Sequence, residues 1–244
     1  MVVLLPAQCE HRAQCAVPAS RSSKRPSATD PNEGPTRMEE LADTSPSIYV
    51  LRGAHAGNAP IVVLHGMCSH ALGYAQSFQW SAAKKGIIVA PQGDRPCGGP
   101  WASWSLDIAA LDERVRLAFR ALGVPEPLRD VTVVGYSQGA SRAEALARKW
   151  PERYSRLVLI AGPDAPSARG LGTLRAAVMM AGERDRQDLM KKGLAAFRAA
   201  GIPATFQVIP GARHGEMGPN PESTMGSALD WLWEHQRPTA DAGD

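Results

Sequence analysis

The sequence predicts an α/β fold built on a doubly wound, mostly parallel sheet. Three observations carry that expectation. Short apolar runs alternate with helix-forming stretches, the pattern of buried parallel strands joined by crossover helices. Polar, reactive residues directly follow several of those runs, and the carboxyl ends of such strands are where ligands bind. One run leads through a glycine-flanked serine into a helix-forming segment, the context of a nucleophile turn.

In chain order, residues Met1 to about Thr44 are expected to form a tail. Arg21 to Pro35 is rich in Ser, Pro, Arg, Asp and Asn and has no apolar period, the composition of a segment that cannot bury enough surface to order itself. The apolar start, Met1-Val2-Val3-Leu4-Leu5, lacks a basic n-region and a full apolar h-region. Localisation is therefore open between cytoplasmic and exported. Met38 opens the first stretch that reads as folded. The domain is expected over 45–237, with 238–244 a short C-terminal tail.

Ile48 to Arg52 reads as a first strand and Gly57-Asn58 as a turn. Ile61-Val62-Val63-Leu64 is an unbroken apolar run, as for a strand covered on both faces, and it runs into His65-Gly66-Met67. A helix is expected from about Ala71 to Lys85, then a strand at Ile87-Ile88-Val89-Ala90 ended by Pro91. Gly93, Pro96, Gly98, Gly99 and Pro100 argue against regular structure from Gln92 to Trp104. Ser105-Leu106-Asp107 opens a helix to about Leu122, with Ile108, Leu111, Val115, Leu117, Ala118 and Leu122 forming a stripe near helical period. Val131 to Val134 is a strand, and the helix after it stops before Pro151. Leu157 to Ile160 and Ala177 to Met180 read as strands. Asp188 to Ala200 reads as a helix, Thr205 to Ile209 as a strand and Glu222 to His235 as a closing helix.

Composition narrows the function classes. The 244 residues suit one substantial domain plus tails. The 27 Lys and Arg are interleaved with 24 Asp and Glu, giving a net charge of only +3, so no basic stripe favours nucleic acid. No apolar run approaches the ~18 residues of a membrane span. Cys9, Cys15, Cys68 and Cys97 have no C-x-x-C spacing, and no cluster offers three metal ligands, so neither a metal nor a cofactor is expected. Cys68 and Cys97 both follow strands. A disulfide in an exported protein and two free thiols both fit that placement.

The chemistry gathers at Gly135-Tyr136-Ser137-Gln138-Gly139. Between strand and helix the turn must be sharp, and a glycine on each flank has no Cβ to clash. The hydroxyl of Ser137 then projects freely. The following helix aims its N-terminal N–H groups at the place where negative charge develops. Downstream, Asp164, Asp185 and His214 each follow a strand, giving the chain order Ser, Asp, His. Isolated His55, His70 and His235 have no motif around them.

These segments resemble the α/β-hydrolase superfamily. The resemblance rests on Gly135 to Gly139, on Ala181-Gly182-Glu183-Arg184-Asp185, on Gly211-Ala212-Arg213-His214-Gly215 and on Leu64-His65-Gly66-Met67, and it spans Ile48 to His235. The layout is most similar to small bacterial serine esterases of the carboxylesterase and polyhydroxybutyrate-depolymerase-like type. The resemblance implies Ser137 as nucleophile, His214 as base, and Asp185 as the acid orienting it, with Asp164 the alternative acid. It implies the backbone N–H groups of Met67 and Gln138 as oxyanion donors, with His65 supporting that loop rather than acting as a second base. Trp101 and Trp104 are candidates for the substrate pocket, or for closing the core above the next helix.

The span from Ile160 to Ala177 has no room for a cap domain, so the expected substrates are small-molecule or accessible polymeric esters. The same machinery serves a thioesterase or a small serine peptidase. A non-catalytic binding protein of this fold is the reading from another class, and it usually shows in a lost serine, histidine or acid. Oligomeric state is not legible.

Overall fold

The computed structural model describes residues 37–52 and 59–238. Cys9, Cys15, His55, the Gly57-Asn58 turn, the tail through residue 36 and residues 239–244 lie outside the described residues.

Among the described residues, eight strands form one sheet. In chain order they are β1 (Glu39–Glu40), β2 (Ile48–Leu51), β3 (Ala59–Leu64), β4 (Gly86–Pro91), β7 (Thr132–Tyr136), β8 (Arg156–Ile160), β9 (Ala176–Gly182) and β10 (Ala204–Ile209). Their order across the sheet is β1-β2-β4-β3-β7-β8-β9-β10. The two pairings that involve β2 are antiparallel, and every pairing from β4 to β10 is parallel.

The strands are apolar on both sides because both faces are covered. Alternate residues serve opposite layers. Val62, Leu64, Val133, Leu157, Leu159, Ala177 and Met179 pack in the layer with α3 (Ile108–Ala121), α4 (Gln138–Lys149) and α5 (Asp188–Ala199). Ile61, Val63, Val134, Val158, Ile160, Val178 and Met180 pack with α1 (Ala71–Gln76), α2 (Gln79–Ala83) and α6 (Pro221–His235). Each fully buried Val, Leu or Ile contributes roughly 1.5–3 kcal/mol, so these strands are the most secure part of the molecule. They fix where every strand-end loop begins.

The structure corrects three expectations. The domain begins before residue 45: Glu39 pairs with Val50, Glu40 pairs with Tyr49, and Met38 is buried. A two-residue edge strand carries too short a pattern to be read from sequence. The helix expected from Ala71 to Lys85 is broken into α1 and α2. Phe78, at φ −139°, leaves the helical path and is buried, and the Ser77 hydroxyl donates to Tyr74 O (2.7 Å). The break turns α2 onto α6, where the Glu222 carboxylate accepts from the N–H groups of Trp80 (3.0 Å) and Ser81 (2.7 Å).

The third correction concerns 92–104. This stretch contains an antiparallel hairpin of β5 (Arg95–Gly98) and β6 (Trp101–Ser103). Gly98 at φ +101° and Gly99 at φ +56° supply the left-handed turn, and Pro96 sits on an exposed edge that tolerates a missing donor. The residues that argued against regular structure are the ones that make the hairpin. Cys97 in β5 is joined to Cys68 by a disulfide, which decides between the two readings of that pair. Between β8 and β9, residues 161–175 form neither helix nor strand, so no cap covers the strand ends there.

Candidate active site

β7 lies near the middle of the sheet, and its last residue hands the chain to Ser137. The turn is as tight as the sequence requires. Ser137 has φ 50° and ψ −117°, a conformation that non-glycine residues rarely adopt. A Cβ on Gly135 would lie 2.4 Å from Gly139 O, and one on Gly139 would lie 2.2 Å from Leu64 O. Both flanks are therefore glycine for reasons of space. The Ser137 N–H donates to Ile160 O (2.8 Å), tying the turn to the end of β8.

β9 and β10 are parallel neighbours, so the loops after them run side by side. The N–H of Arg184 donates to Ala212 O (2.9 Å), and the Glu183 carboxylate accepts from Gly211 N–H (2.7 Å). These contacts bring Asp185 to His214. Asp185 Oδ2 lies 2.8 Å from His214 Nδ1, and Asp185 Oδ1 accepts from Arg186 N–H (2.7 Å). On its other side His214 Nε2 lies 3.1 Å from Ser137 Oγ. The Asp185 side chain is 10 % exposed and that of His214 53 %, so the line runs from a shielded carboxylate to an open ring. Asp164 is exposed and makes no hydrogen bond to His214.

Tyr136 adds a support that sequence reading missed. Its hydroxyl accepts from Gly215 N–H, and its ring lies 5.6 Å from that of His214. Burial raises the phenol pKa above its ordinary value, so it stays neutral beside the histidine loop. An aromatic residue next to Ser137 reads as packing, and nothing local reveals a partner 79 positions away.

The loop after β3 borders the serine: a Cβ on Gly66 would lie 3.5 Å from Ser137 Cβ. Among the described residues, neither the Met67 nor the Gln138 N–H has an acceptor. His65 is fully buried. Its Nδ1 pairs with Gly66 O (2.7 Å), and its Nε2 accepts from Gly93 N–H (2.9 Å). Desolvation lowers its pKa to about 4 against the opposing Gly66 hydrogen bond, with His70 and Arg114 adding to the lowering. The imidazole is thus neutral, with Nδ1 donating.

The structure separates the two tryptophans. Trp104 is 4 % exposed, and its Nε1 donates to His65 O (2.8 Å). Its N–H donates to Gln138 Oε1 (3.1 Å). Trp104 is therefore a support beneath the loop and not a wall of the open groove, because its one polar atom is spent on backbone. Trp101 is 50 % exposed. It lines a groove of about 510 Å³ with His70, Leu72, Tyr74, Gly215 and Met217. Gly215 sets this groove directly beside His214.

No family model matches the chain, and no curated protein matches it. Solved structures do. A carboxylesterase from Mesorhizobium loti superposes with a TM-score of 0.62 at 18 % identity, covering 80 % of this chain and 99 % of that one. A predicted CIB-like hydrolase from Thermoplasma acidophilum gives 0.61 at 17 %, covering 81 % and 98 %. The substrate-bound Staphylococcus aureus fluorophosphonate-binding serine hydrolase FphF gives 0.57 at 12 %, covering 76 % and 91 %. With the mostly parallel sheet and its two helix layers, these likenesses show that the chain has the α/β-hydrolase fold.

Proposed function

We propose that the chain is a serine hydrolase that cleaves carboxylic esters through an acyl-enzyme. The observation that carries this reading is the hydrogen-bonded line from Ser137 Oγ through His214 to Asp185, with distances of 3.1 and 2.8 Å. A serine hydroxyl is a poor nucleophile until a base takes its proton. Asp185 accepts from His214 Nδ1–H, which leaves Nε2 free to take that proton as Oγ attacks the ester carbonyl. The carboxylate then stabilises the imidazolium.

The carbonyl oxygen becomes an oxyanion, and the N–H groups of Met67 and Gln138, which lack protein acceptors, are suited to receive it. His214 returns the proton to the departing alcohol. Water, activated by the same base, then releases the acid. The groove lined by Trp101, Tyr74, Leu72 and Met217 is suited to an apolar part of the substrate. With no cap between β8 and β9, short or accessible polymeric esters suit the site best. The names of the structural neighbours, a carboxylesterase and a fluorophosphonate-binding serine hydrolase among them, support the same class.

The test is covalent labelling with a fluorophosphonate, followed by peptide mass spectrometry and turnover of p-nitrophenyl esters of rising acyl length beside a thioester. The adduct is expected on Ser137. Ser137→Ala and His214→Ala are each expected to lose roughly 10³-fold or more in turnover. An adduct confined to another serine, or undiminished turnover in either variant, contradicts the assignment.

A further inference from the structure

The loop that carries Met67 is anchored at both ends and bare in the middle. At its start, His65 is locked through both ring nitrogens, and its carbonyl accepts from Trp104 Nε1. At its end, Ser69 and Ala102 exchange both backbone hydrogen bonds at 3.0 Å, and Gln92 Nε2 donates to Ser69 O (3.1 Å). Between these anchors lie Met67 and Cys68, both exposed. Among the described residues, no N–H or C=O of either residue has a hydrogen-bond partner. Cys68 also stands at φ 47°, a conformation that needs outside support in a residue with a Cβ. The support present is covalent: the disulfide from Cys68 to Cys97 in β5.

We infer that the Cys68–Cys97 disulfide positions the Met67 N–H for the oxyanion, so that its reduction by a dithiol slows ester turnover while the domain stays folded. The inference rests on the ester-hydrolase reading above. An oxyanion donor contributes only when held within about 3 Å of the developing charge before the reaction begins, and losing one costs about 10²–10³ in kcat. With the bond open, Met67 and Cys68 are held only through the flanking anchors at His65 and Ser69, and the donor is less ordered before each turnover.

Both cysteines are exposed, so a thiolate can reach the sulfurs. One thiolate of the dithiol attacks a disulfide sulfur and expels the other as thiolate. The second thiol of the reductant then closes on the mixed disulfide. Two electrons pass to the cysteine pair, leaving two protein thiols and the reductant as its own disulfide. The bond joins two exposed segments outside both core layers, so the strands do not depend on it.

The experiment compares the full chain as oxidised protein, after dithiothreitol and after reoxidation. Peptide mapping of alkylated thiols follows the state of Cys68 and Cys97, and circular dichroism follows the fold. On p-nitrophenyl acetate, reduction is expected to lower kcat at least tenfold, to leave KM within about threefold, and to be reversed by reoxidation. Cys97→Ser, which leaves Cys68 in place, should show the same split and no response to dithiothreitol. An unchanged kcat with the pair reduced overturns the inference while leaving the hydrolase reading standing. Loss of the folded signal in step with activity also overturns it, since the bond would then be holding up the domain. An oxidised protein with no ester turnover overturns both readings.

Discussion

The turn at 135–139 and the loop at 65–69 lie against each other and are held in opposite ways. The turn is shaped by backbone alone: a Cβ is excluded at Gly135 by Gly139 O and at Gly139 by Leu64 O, and the Ser137 N–H donates to Ile160 O. The loop is shaped from outside. Trp104, Gln92, Gly93 and Cys97, all at 92–104, supply its anchors, and Gln138 holds Trp104 in turn. The serine turn is thus set by the close approach of backbone to backbone. The loop at 65–69 is instead assembled from residues distant in the chain.

The sharpest separation of the two regions is chemical. Asp185→Asn replaces the carboxylate that accepts from His214 Nδ1–H with an uncharged amide and leaves the loop at 65–69 untouched. An amide there favours the wrong tautomer, and kcat/KM is expected to fall by roughly 10²–10⁴ on an activated ester. Asp164→Asn, at an exposed residue with no contact to the histidine, should stay within about threefold. If Asp164→Asn is the crippled variant, the acid has been assigned to the wrong strand.

A smaller effect breaks the contact between the regions. Gly139→Ala places a methyl 2.2 Å from Leu64 O and 2.6 Å from His65 O, both backbone atoms that cannot turn aside. Unfolding in urea is expected to show a loss of roughly 2–3 kcal/mol. Gly73→Ala in α1 meets nothing within 4 Å and should instead stabilise by roughly 0.5–1 kcal/mol. Equal effects of the same sign would mean that close approach does not shape the turn.

What was legible in the sequence follows the same division. The buried parallel strands could be read because both-face burial writes unbroken apolar runs, and the turn because lack of space for a Cβ writes a glycine on each flank of Ser137. The approach of Asp185 to His214 follows strand order, since β9 and β10 are neighbours and their loops run side by side, whereas Ser137 follows β7, two strands before β9, and its place beside His214 does not follow from adjacency. The hairpin at 92–104 could not, because its glycines and prolines carry the same signal whether they end a strand or turn one. The break at Phe78 was hidden too, because what stabilises it is the Glu222 carboxylate 142 positions from Trp80. Trp104 is a third case: a tryptophan at a strand end looks the same from sequence whether it walls a pocket or props a loop.

The two histidines allow the finest test of the contrast. His214 is open to solvent, whereas His65 is buried, neutral and bonded through both nitrogens. Its pKa of about 4 lies below the ordinary value of 6.5, so the folded state disfavours the proton. The stability this contributes is complete above pH 6.5 and drains away as pH falls through the window down to about 4. Integrated over that window the loss is roughly 3 kcal/mol. Protonation would also force Nε2 to face the Gly93 N–H as a second donor, so the loop should loosen before the core does. Urea unfolding at pH 7, 5.5 and 4.5 is expected to show this decline in the wild type. It should be shallower in His65→Asn, which cannot titrate there, and comparing slopes removes the constant cost of the substitution. Parallel pH profiles for the two proteins would show that acid destabilisation comes from elsewhere and that His65 does not hold the loop as a neutral ring.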